Sequence, residues 1–338
     1  MKRLLVTTAL EETWGGDVPV LFLGEWCRAY KRKHIWSKVD ALVAQPFGVE
    51  PSQKLIDIDY VDQLAIKILS ELSEELNKFH QVQHSERYWN IVLGHWLKRY
   101  VSIAFNRYHT VDQALKNYDI EGTISFKDSG YSLATSDSLD LILACNDDKW
   151  NHTFYKRVMA YMGQIELRQN LTSQGWGEGY GCDRVGSDEV FMRTMRRGKK
   201  IFSAMAFHGI GASLGRLLGL IGTKLGRNTD AFFIASYLPV KVEVMLHLAL
   251  GQVPQLWICP PTGELKNDSK PRANLKLNCD HFEGFEKYVR WQLAEVIPIC
   301  YLEGYKNLVK TTEELKWPKN PKFIFTSNAF DTEEIFKV

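Results

Sequence analysis

The sequence lacks the motifs that would name a chemistry directly. Its six cysteines are far apart and include no CxxC pair, which excludes the usual spacings of a zinc site and of a dithiol redox site. A Walker loop, a GxSxG elbow and an HExxH helix are also absent. Several NTPase, hydrolase and metalloprotease classes are therefore excluded, and we predict no metal or cofactor held by this chain.

Long apolar runs and an excess of one charge are lacking too. No stretch reaches the roughly 20 apolar residues of a membrane-spanning helix, and the apolar run that follows Met1–Arg3 meets Glu11 and Glu12 without a cleavage site. Lysine and arginine number 42 against 40 aspartate and glutamate, which gives a net charge of +2. We expect a cytoplasmic chain, at most peripheral to the inner face of a membrane, with no nucleic-acid partner.

The apolar pattern alternates between strands and helices. Leu4–Thr8 and Val18–Leu23 are short, nearly continuous apolar runs, which favours strands covered on both faces. Apolar positions from Val61 to Phe79 and from Trp89 to Tyr108 recur at the i, i+3, i+4, i+7 spacing of amphipathic helices. Further strand candidates are Thr123–Phe126, Ala231–Ala235, Pro254–Ile258 and Phe323–Thr326. Strands that alternate with helices predict an α/β fold with a mostly parallel sheet.

The same pattern predicts the domain organisation. Residues 1–147 form the first part of the sheet domain, and the helical, Gly-interrupted stretch 148–225 is interpreted as an insertion. Residues 226–326 complete the sheet domain and include an exposed polar loop at 261–279. The chain is long enough, and apolar enough at 45% hydrophobic residues, to bury a sizeable core.

The last residues, 327–338, are interpreted as the start of an interdomain connection. Ser327 and Asn328 form a turn with helix-capping chemistry after the last predicted strand. The helix that follows ends after two turns, and we expect Ile335 and Phe336 to be uncovered. This pattern suggests a second domain that is absent from this chain.

The turn between the first two strands holds the first candidate site. A carboxylate can take a proton from a hydroxyl nucleophile, so Glu11, Glu12 and Asp17 are candidate catalytic bases. Trp14 is a candidate platform for a sugar face, with Gly15–Gly16 beside it in the acceptor-binding turn. The alternative is an ordinary polar turn onto which Trp14 packs.

A second candidate region follows the second strand. Glu25 and Trp26 end that strand, and the basic and aromatic stretch Arg28–Trp36, which includes His34, comes directly after them. Cations interleaved with aromatic rings favour a phosphate or an anionic sugar as ligand. A solvated basic helix face explains the same residues.

Three other histidines are weaker candidates. His80 and His84 would share a helix face as a metal pair, but the Glu of an HExxH motif and a third ligand are missing, so solvated histidines at a helix end are the alternative. His95 stands between Trp89 and Trp96 of the apolar stripe. It is either an acceptor contact or a satisfied core histidine.

A Gly-rich segment and a basic run complete the candidates. The segment HGIGASLG at 208–215 is similar to a dinucleotide-binding turn, but Asp230 precedes the next strand instead of closing it, so a nicotinamide site competes with close helix packing. The basic run at 193–200 is interpreted as a solvated face or as a contact with anionic lipid headgroups.

Three segments in order carry a family resemblance: LVTTALEETWGGDVPVLFLGEWCRAY, SERYWNIVLGHWL and FIFTSNAFDTEEIFKV. On these segments the chain resembles the first half of a family of transferases encoded in O-antigen and other surface-polysaccharide biosynthesis regions of bacteria. The likeness spans essentially the whole chain. It implies a GT-B-type glycosyltransferase, in which two Rossmann-like halves face each other across a cleft.

The resemblance also implies roles and partners. The N-terminal half of such enzymes receives the acceptor, here a glycan or a lipid-linked acceptor, and the C-terminal half holds a nucleotide-activated sugar donor. The family's Gln/His/Gly-rich second half is not in this sequence, and the resemblance implies that a separate chain could supply it. Ser327, Asn328 and Asp331 are expected at the cleft mouth or the interdomain hinge. The alternative is a non-catalytic chain that binds a glycan or a partner protein.

Overall fold

The computed structural model divides into two compact units. The first unit comprises Met1–Gly179 and Lys266–Glu303, and the second comprises Tyr180–Leu265 and Gly304–Val338. The described residues are 1–127, 133–163, 166–172, 222–257, 259–260, 262 and 268–338.

A five-stranded parallel sheet forms the centre of the first unit, in the order β3-β2-β1-β4-β5. Its strands are β1 Arg3–Val6, β2 Val20–Phe22, β3 Ala41–Val43, β4 Ile120–Lys127 and β5 Glu166–Thr172. Leu4 of β1 pairs with Val20 on one side and with Gly122 on the other. This is the strand order of a Rossmann-type sheet, so the predicted α/β fold is confirmed. The sequence pattern missed β3, which has only three residues and an exposed Leu42.

Helices connect these strands and make up much of the rest of the described chain. They are α1 Lys33–Trp36, α2 Pro51–His80, α3 Glu86–Asn117, α4 Ser138–Ala144, α5 Asp148–Met162, α6 Val240–Ala249, α7 Ser269–Asn274, α8 Gly284–Val296, α9 Tyr305–Glu314, α10 Ala329–Thr332 and α11 Glu334–Lys337. Single 3-10 turns lie at Glu11–Thr13, Glu25–Cys27, Tyr30–Arg32 and Ile299–Tyr301. In the described part of the chain, no helix combines the length and the hydropathy needed to cross a bilayer.

Local signals account for the two long helices, α2 and α3, both of which were predicted. Pro51 opens α2, where its missing N–H costs nothing. The hydroxyl of Ser85 caps α3 by accepting a hydrogen bond from the N–H of Tyr88 at 3.2 Å. Their apolar stripes pack against each other, with Leu72 and Trp96 fully buried. This pair is the crossover that carries the chain from β3 to β4.

The centre of the sheet is buried on both faces. Leu5 and Leu21 are completely buried, and a cluster on one face joins Val6 and Phe22 to Trp14 of the β1–β2 connection. Two parallel strands need a crossover of about a dozen residues or more between them. The connection from β1 to β2 contains a single 3-10 turn, Glu11–Thr13, as its regular element. This connection also contributes Trp14 to the hydrophobic core.

Two boundaries differ from the sequence interpretation. Helix α5, which was assigned to an insertion beginning at residue 148, is the crossover between β4 and β5 of the main sheet. Residues 173–221 of the predicted insertion lie outside the described residues. The loop predicted as exposed at 261–279 contains α7, and Arg272 in it is completely buried.

The second unit contains its own short sheet. β6 (Phe232–Phe233) pairs in parallel with β7 (Ile324–Phe325), so these segments do not extend the main sheet as expected. The segment 254–257 contains no strand. Local pattern identifies an extended segment but does not say which strand it will pair with.

The expectation that the terminal helix leaves its apolar residues uncovered is wrong. Ile335 is 2% exposed, and the ring of Phe336 stacks on that of Phe232 with a centroid distance of 6.4 Å. Lys337 and Glu334 form a buried ion pair at 2.6 Å beside them. The end of the described chain is therefore part of the core of the second unit.

Arg272 generates a prediction about stability. Its guanidinium donates to Glu303 at 2.7 and 2.9 Å and to two backbone carbonyls, and the side chains of Arg272 and Glu303 are 0% and 9% exposed. We expect Arg272→Ala to lower the free energy of unfolding by about 3–5 kcal/mol, because it leaves Glu303 buried without its cation. Chemical denaturation measures the change. Lys270→Ala on the same helix is the control and should change the value by less than about 0.5 kcal/mol; equal effects would contradict the assignment.

Candidate functional site

The strand order reverses at the junction of β1 and β4. The chain moves outward from β1 to β2 and β3 and then returns to place β4 on the other side of β1. In open parallel sheets, the crevice beyond the carboxyl ends of the strands at such a switch point is where ligands bind. Thr7 and Thr8 follow β1 directly, and continuing the Leu4–Gly122 register places Ser125 of β4 beside Thr7. Thr7 and Ser125 thus lie side by side at the switch point, and Thr8 comes next along the chain.

These hydroxyls are held in a buried polar arrangement. Thr7 Oγ1 lies 2.7 Å from His152 Nδ1, and the carbonyl of Thr7 accepts a hydrogen bond from Trp26 Nε1 at 2.9 Å. Thr8 Oγ1 and Ser125 Oγ are buried and have no hydrogen-bond partner in the described part of the chain. A buried hydroxyl left in this way costs about 1–3 kcal/mol, so it marks a place where a ligand group can be satisfied. We call Thr7, Thr8, Trp26, Ser125 and His152 the switch-point site.

Helix α5 presents one face to this site. His152, Tyr155 and Lys156 are spaced i, i+3, i+4 and therefore share that face. The ring of His152 packs edge-on against Phe126 at 5.2 Å, and Lys156 Nζ donates to the carbonyl of Phe126 at 2.8 Å. Tyr155 stacks on Trp26 with the planes 5° apart and the centroids 6.5 Å apart. The helix thus supports the exposed Trp26 ring from below.

Sequence reasoning missed most of the switch-point site. Thr7 and Thr8 were assigned to the first strand, although two polar residues directly after an apolar run are a readable signal for the strand end. Ser125 was assigned correctly to a strand but not to a site. His152 had no local signal, because it meets Thr7 across 145 residues of sequence.

The two tryptophans of the N-terminal region, both predicted to contact the acceptor, lie in different environments. Trp14 is 4% exposed: its ring packs edge-on against Phe22 at 5.1 Å, and its Nε1 donates to the carbonyl of Thr8 at 3.4 Å. This burial favours the alternative of an ordinary turn with a packed Trp over a sugar platform. Trp26, by contrast, is 45% exposed at the carboxyl edge.

The three predicted bases lie in different environments. Glu11 forms a two-point ion pair with Arg32, with both distances 2.6 Å, and this hydrogen bonding lowers the pKa of Glu11, which weakens it as a base. Glu12 beside it is exposed. Asp17 lies just before β2, at the amino edge of the sheet, where Pro19 accepts from the N–H of Leu4 at 2.9 Å. Strand direction therefore separates Asp17 from Glu11 and Glu12.

The residues after β2 are largely paired among themselves. Glu25 forms an ion pair with Arg28, whose Nε lies 3.0 Å from a Glu25 oxygen, and Arg28 also sits over the ring of Trp36 at 5.0 Å. Because Arg28 and Arg32 each have an acidic partner, they are poor candidates for an anion site. His34 is exposed beside them. A solvated basic face is the better description of this stretch.

The other histidine predictions lie away from the sheet edge. His80 is buried, and its Nε2 lies 3.0 Å from the carbonyl of Tyr301, so the expectation of a solvated histidine is wrong there. His84 stacks on Tyr88 at 4.0 Å. His95 is exposed on α3. Within the described ranges, no three His, Cys, Asp or Glu side chains cluster as metal ligands do.

The remaining candidates lie in the second unit or outside the described chain. Ser327, Asn328 and Asp331 follow the carboxyl end of β7, where the N–H of Ser327 donates to the carbonyl of Ala235 at 3.1 Å. They share one turn, since the N–H of Asp331 donates to the carbonyl of Asn328. The Gly-rich segment 208–215 and the basic run 193–200 are not among the described residues.

The fold and the site define the class of protein. A five-stranded parallel sheet with a polar site at its switch point is an α/β protein of the Rossmann-like class. A family model described as LIC12162 family transferase matches residues 3–338, and the chain belongs to this transferase family. No curated protein and no solved structure matches the chain.

Gly15 and Gly16 generate a paired prediction. Both have left-handed backbones, with φ of +73° and +71°, but a Cβ on Gly15 would lie 2.7 Å from Leu4 Cδ2 whereas one on Gly16 would meet nothing within 4 Å. We expect Gly16→Ala to lower the free energy of unfolding by about 1–2 kcal/mol. Gly15→Ala should lower it by a further ~1–3 kcal/mol through overpacking. Chemical denaturation compares the two; equal losses would show that Gly15 is not a packing residue.

The Glu11–Arg32 pair generates a prediction about pH. Because Arg32 lowers the pKa of Glu11 from its ordinary 4.5, the pair stabilises the fold at neutral pH, and this contribution is lost as the pH falls from 4.5 through the lowered value. Glu11→Gln should lower the free energy of unfolding by about 1 kcal/mol at neutral pH. Denaturation repeated at successively lower pH should show the difference shrink as the pH falls below 4.5. Glu74→Gln, exposed on α2, is the control; a loss of stability that does not depend on pH would contradict the pairing.

Proposed function

We propose that this transferase moves a glycosyl group during assembly of a surface polysaccharide such as O-antigen, and that its first unit binds the acceptor. Membership of a transferase family supports group transfer. The observation that carries the acceptor role is the switch-point site, where two buried hydroxyls, Thr8 Oγ1 and Ser125 Oγ, have no partner in the described part of the chain. Trp26, whose Nε1 donates to the carbonyl of Thr7 at 2.9 Å, is 45% exposed at the same edge.

These groups suit a sugar acceptor. A pyranose has an apolar face, which stacks on an aromatic ring, and hydroxyls that need both donors and acceptors. Trp26 supplies the ring, and Thr8 and Ser125 supply hydroxyls that both donate and accept. His152 holds Thr7 at 2.7 Å and thereby orients the edge of the site. The expected acceptor is a glycan or a lipid-linked glycan, with the lipid at a membrane surface.

Glu12 is the proposed base. Glu12 is exposed and follows β1, whereas Asp17 lies at the opposite edge of the sheet and hydrogen bonding to Arg32 lowers the pKa of Glu11. Glu12 takes the proton of the acceptor hydroxyl, the hydroxyl attacks the anomeric carbon of the donor sugar, and the nucleotide leaves. In a GT-B arrangement a facing domain holds the nucleotide-activated donor, and Ser327, Asn328 and Asp331 lie at the hinge.

A threonine pair tests the acceptor site. Thr8→Val removes an unpartnered buried hydroxyl, so it should leave stability unchanged or slightly raised while it weakens acceptor use at least ~10-fold. Thr123→Val removes a hydroxyl that donates to the carbonyl of Leu5 at 2.7 Å, so it should cost about 1 kcal/mol of stability and leave transfer intact. Denaturation and polysaccharide yield in a complemented deletion strain measure both effects. Full transfer by the Thr8 variant would remove Thr8 from the acceptor site.

Glu12→Gln tests the proposed base. We expect a loss of ~100-fold or more in transfer, because the acceptor hydroxyl must then attack with its proton in place. Asp17→Asn removes the same charge at the other edge and should retain activity. The polysaccharide of a deletion strain complemented with each variant, at equal protein level, gives the readout. If deletion of the wild-type gene left the surface polysaccharide unchanged, the proposed role in polysaccharide assembly would be wrong.

A second candidate is a binding function without catalysis. It is favoured by the ion pairs of Glu11 and Glu25, which leave few acids near β1 and β2 in a state suited to proton transfer. Under this alternative, Thr8→Val would impair glycan binding while Glu12→Gln would have no effect on polysaccharide yield. The two variants together therefore separate the two functions.

A further inference from the structure

A second recess lies on the first unit, apart from the switch-point site. It is an open cleft of about 500 Å³ between the first turns of α2, the segment after β3, the middle of α3 and the start of α8. Its lining residues are Phe47, Gln53, Ile56, Asp57, Tyr60, Phe105, His109 and Phe285. No residue of the switch-point site is among them.

Aromatic rings at different angles make up most of the wall. The ring of Phe47 stacks on His109 with centroids 5.4 Å apart, and Phe105 lies 4.4 Å from His109 and 5.3 Å from Phe285, the last edge-on at 84°. Tyr60 lies 5.8 Å from Phe105. Such an arrangement offers ring faces from several directions to one bound group, and the face of each ring carries partial negative charge.

Among the described residues, the one formal charge on the lining is negative. Asp57 is the one carboxylate, and Gln53 Nε2 donates to it at 2.8 Å. No lysine or arginine belongs to the lining within the part of the chain that the structure describes. Burial lowers the pKa of His109, which keeps the imidazole neutral near pH 7, and the nearby Lys116 is paired with Asp112 at 2.6 Å. The cleft therefore repels anions and favours a cation.

We infer that this aromatic cleft binds an organic cation of the alkylammonium class, with the cationic head among the rings of Phe47, Tyr60 and Phe105 and its charge balanced by Asp57. The ring faces attract the cation, and its alkyl groups displace water from the apolar walls. A neutral apolar ligand would gain only the burial of its apolar groups. An anion would be repelled by the ring faces and by Asp57. This binding function does not depend on the proposed transfer reaction.

Choline and its neutral carbon isostere, 3,3-dimethyl-1-butanol, are matched probes for the full-length chain. Titration calorimetry or ligand-observed NMR at neutral pH should show saturable binding of choline at least ~5-fold tighter than binding of the isostere. Equal affinities would overturn the proposal in favour of a plain apolar cleft. Absence of saturable choline binding would overturn it as well.

Matched variants locate the site. Asp57→Asn should weaken choline binding at least ~5-fold, whereas Asp59→Asn, an equal charge change on the same helix outside the lining, should not. Phe47→Leu keeps an apolar side chain but removes a ring and should weaken binding about 3-fold or more. Tyr30→Leu, at an 84% exposed aromatic residue elsewhere, is its control. Equal effects within either pair would overturn the assignment, and circular dichroism confirms that each variant is folded.

Discussion

The placement of β1 between β2 and β4 is the constraint on which the rest of the first unit depends. Because Leu4 pairs with Val20 on one side and Gly122 on the other, β1 is central and must be covered on both faces. All its neighbours run parallel, so every connection is a crossover, and the longest of these, α2 and α3, carries the chain to the far side. That return creates the reversal at which the polar site lies.

The same constraint explains the chemistry found at each edge of the sheet. Side chains that follow a parallel strand share one edge, and those that precede a strand share the other. Trp26 thus belongs with the switch-point hydroxyls, since it donates to the carbonyl of Thr7, while Asp17 belongs to the opposite edge. Ion pairing distinguishes Glu11 as well, since Arg32 donates to both of its carboxylate oxygens.

Much of the fold was predictable because helix and strand patterns depend on near neighbours. The stripes of α2 and α3, the cap at Ser85 and the apolar runs of β1, β2 and β4 are all local. The predictions that failed have two causes. β3 is too short to show a pattern. β6 and β7 pair with each other, which is a non-local choice, although their sequences resemble the main strands. The polar composition of residues 261–279 predicted an exposed loop, but Arg272 in that segment is buried because it forms an ion pair with Glu303.

The sequence by itself determined the fold class, the long helices and the fact that ligand-type residues follow the first two strands, because spacing along a chain dictates which side chains share a face. Only the tertiary structure decided which of those residues form a site. Trp14 and Trp26 look alike in sequence, yet Trp14 is 4% exposed against Phe22 while Trp26 is 45% exposed. His152 joins Thr7 across 145 residues, a contact set by strand order and by no local pattern.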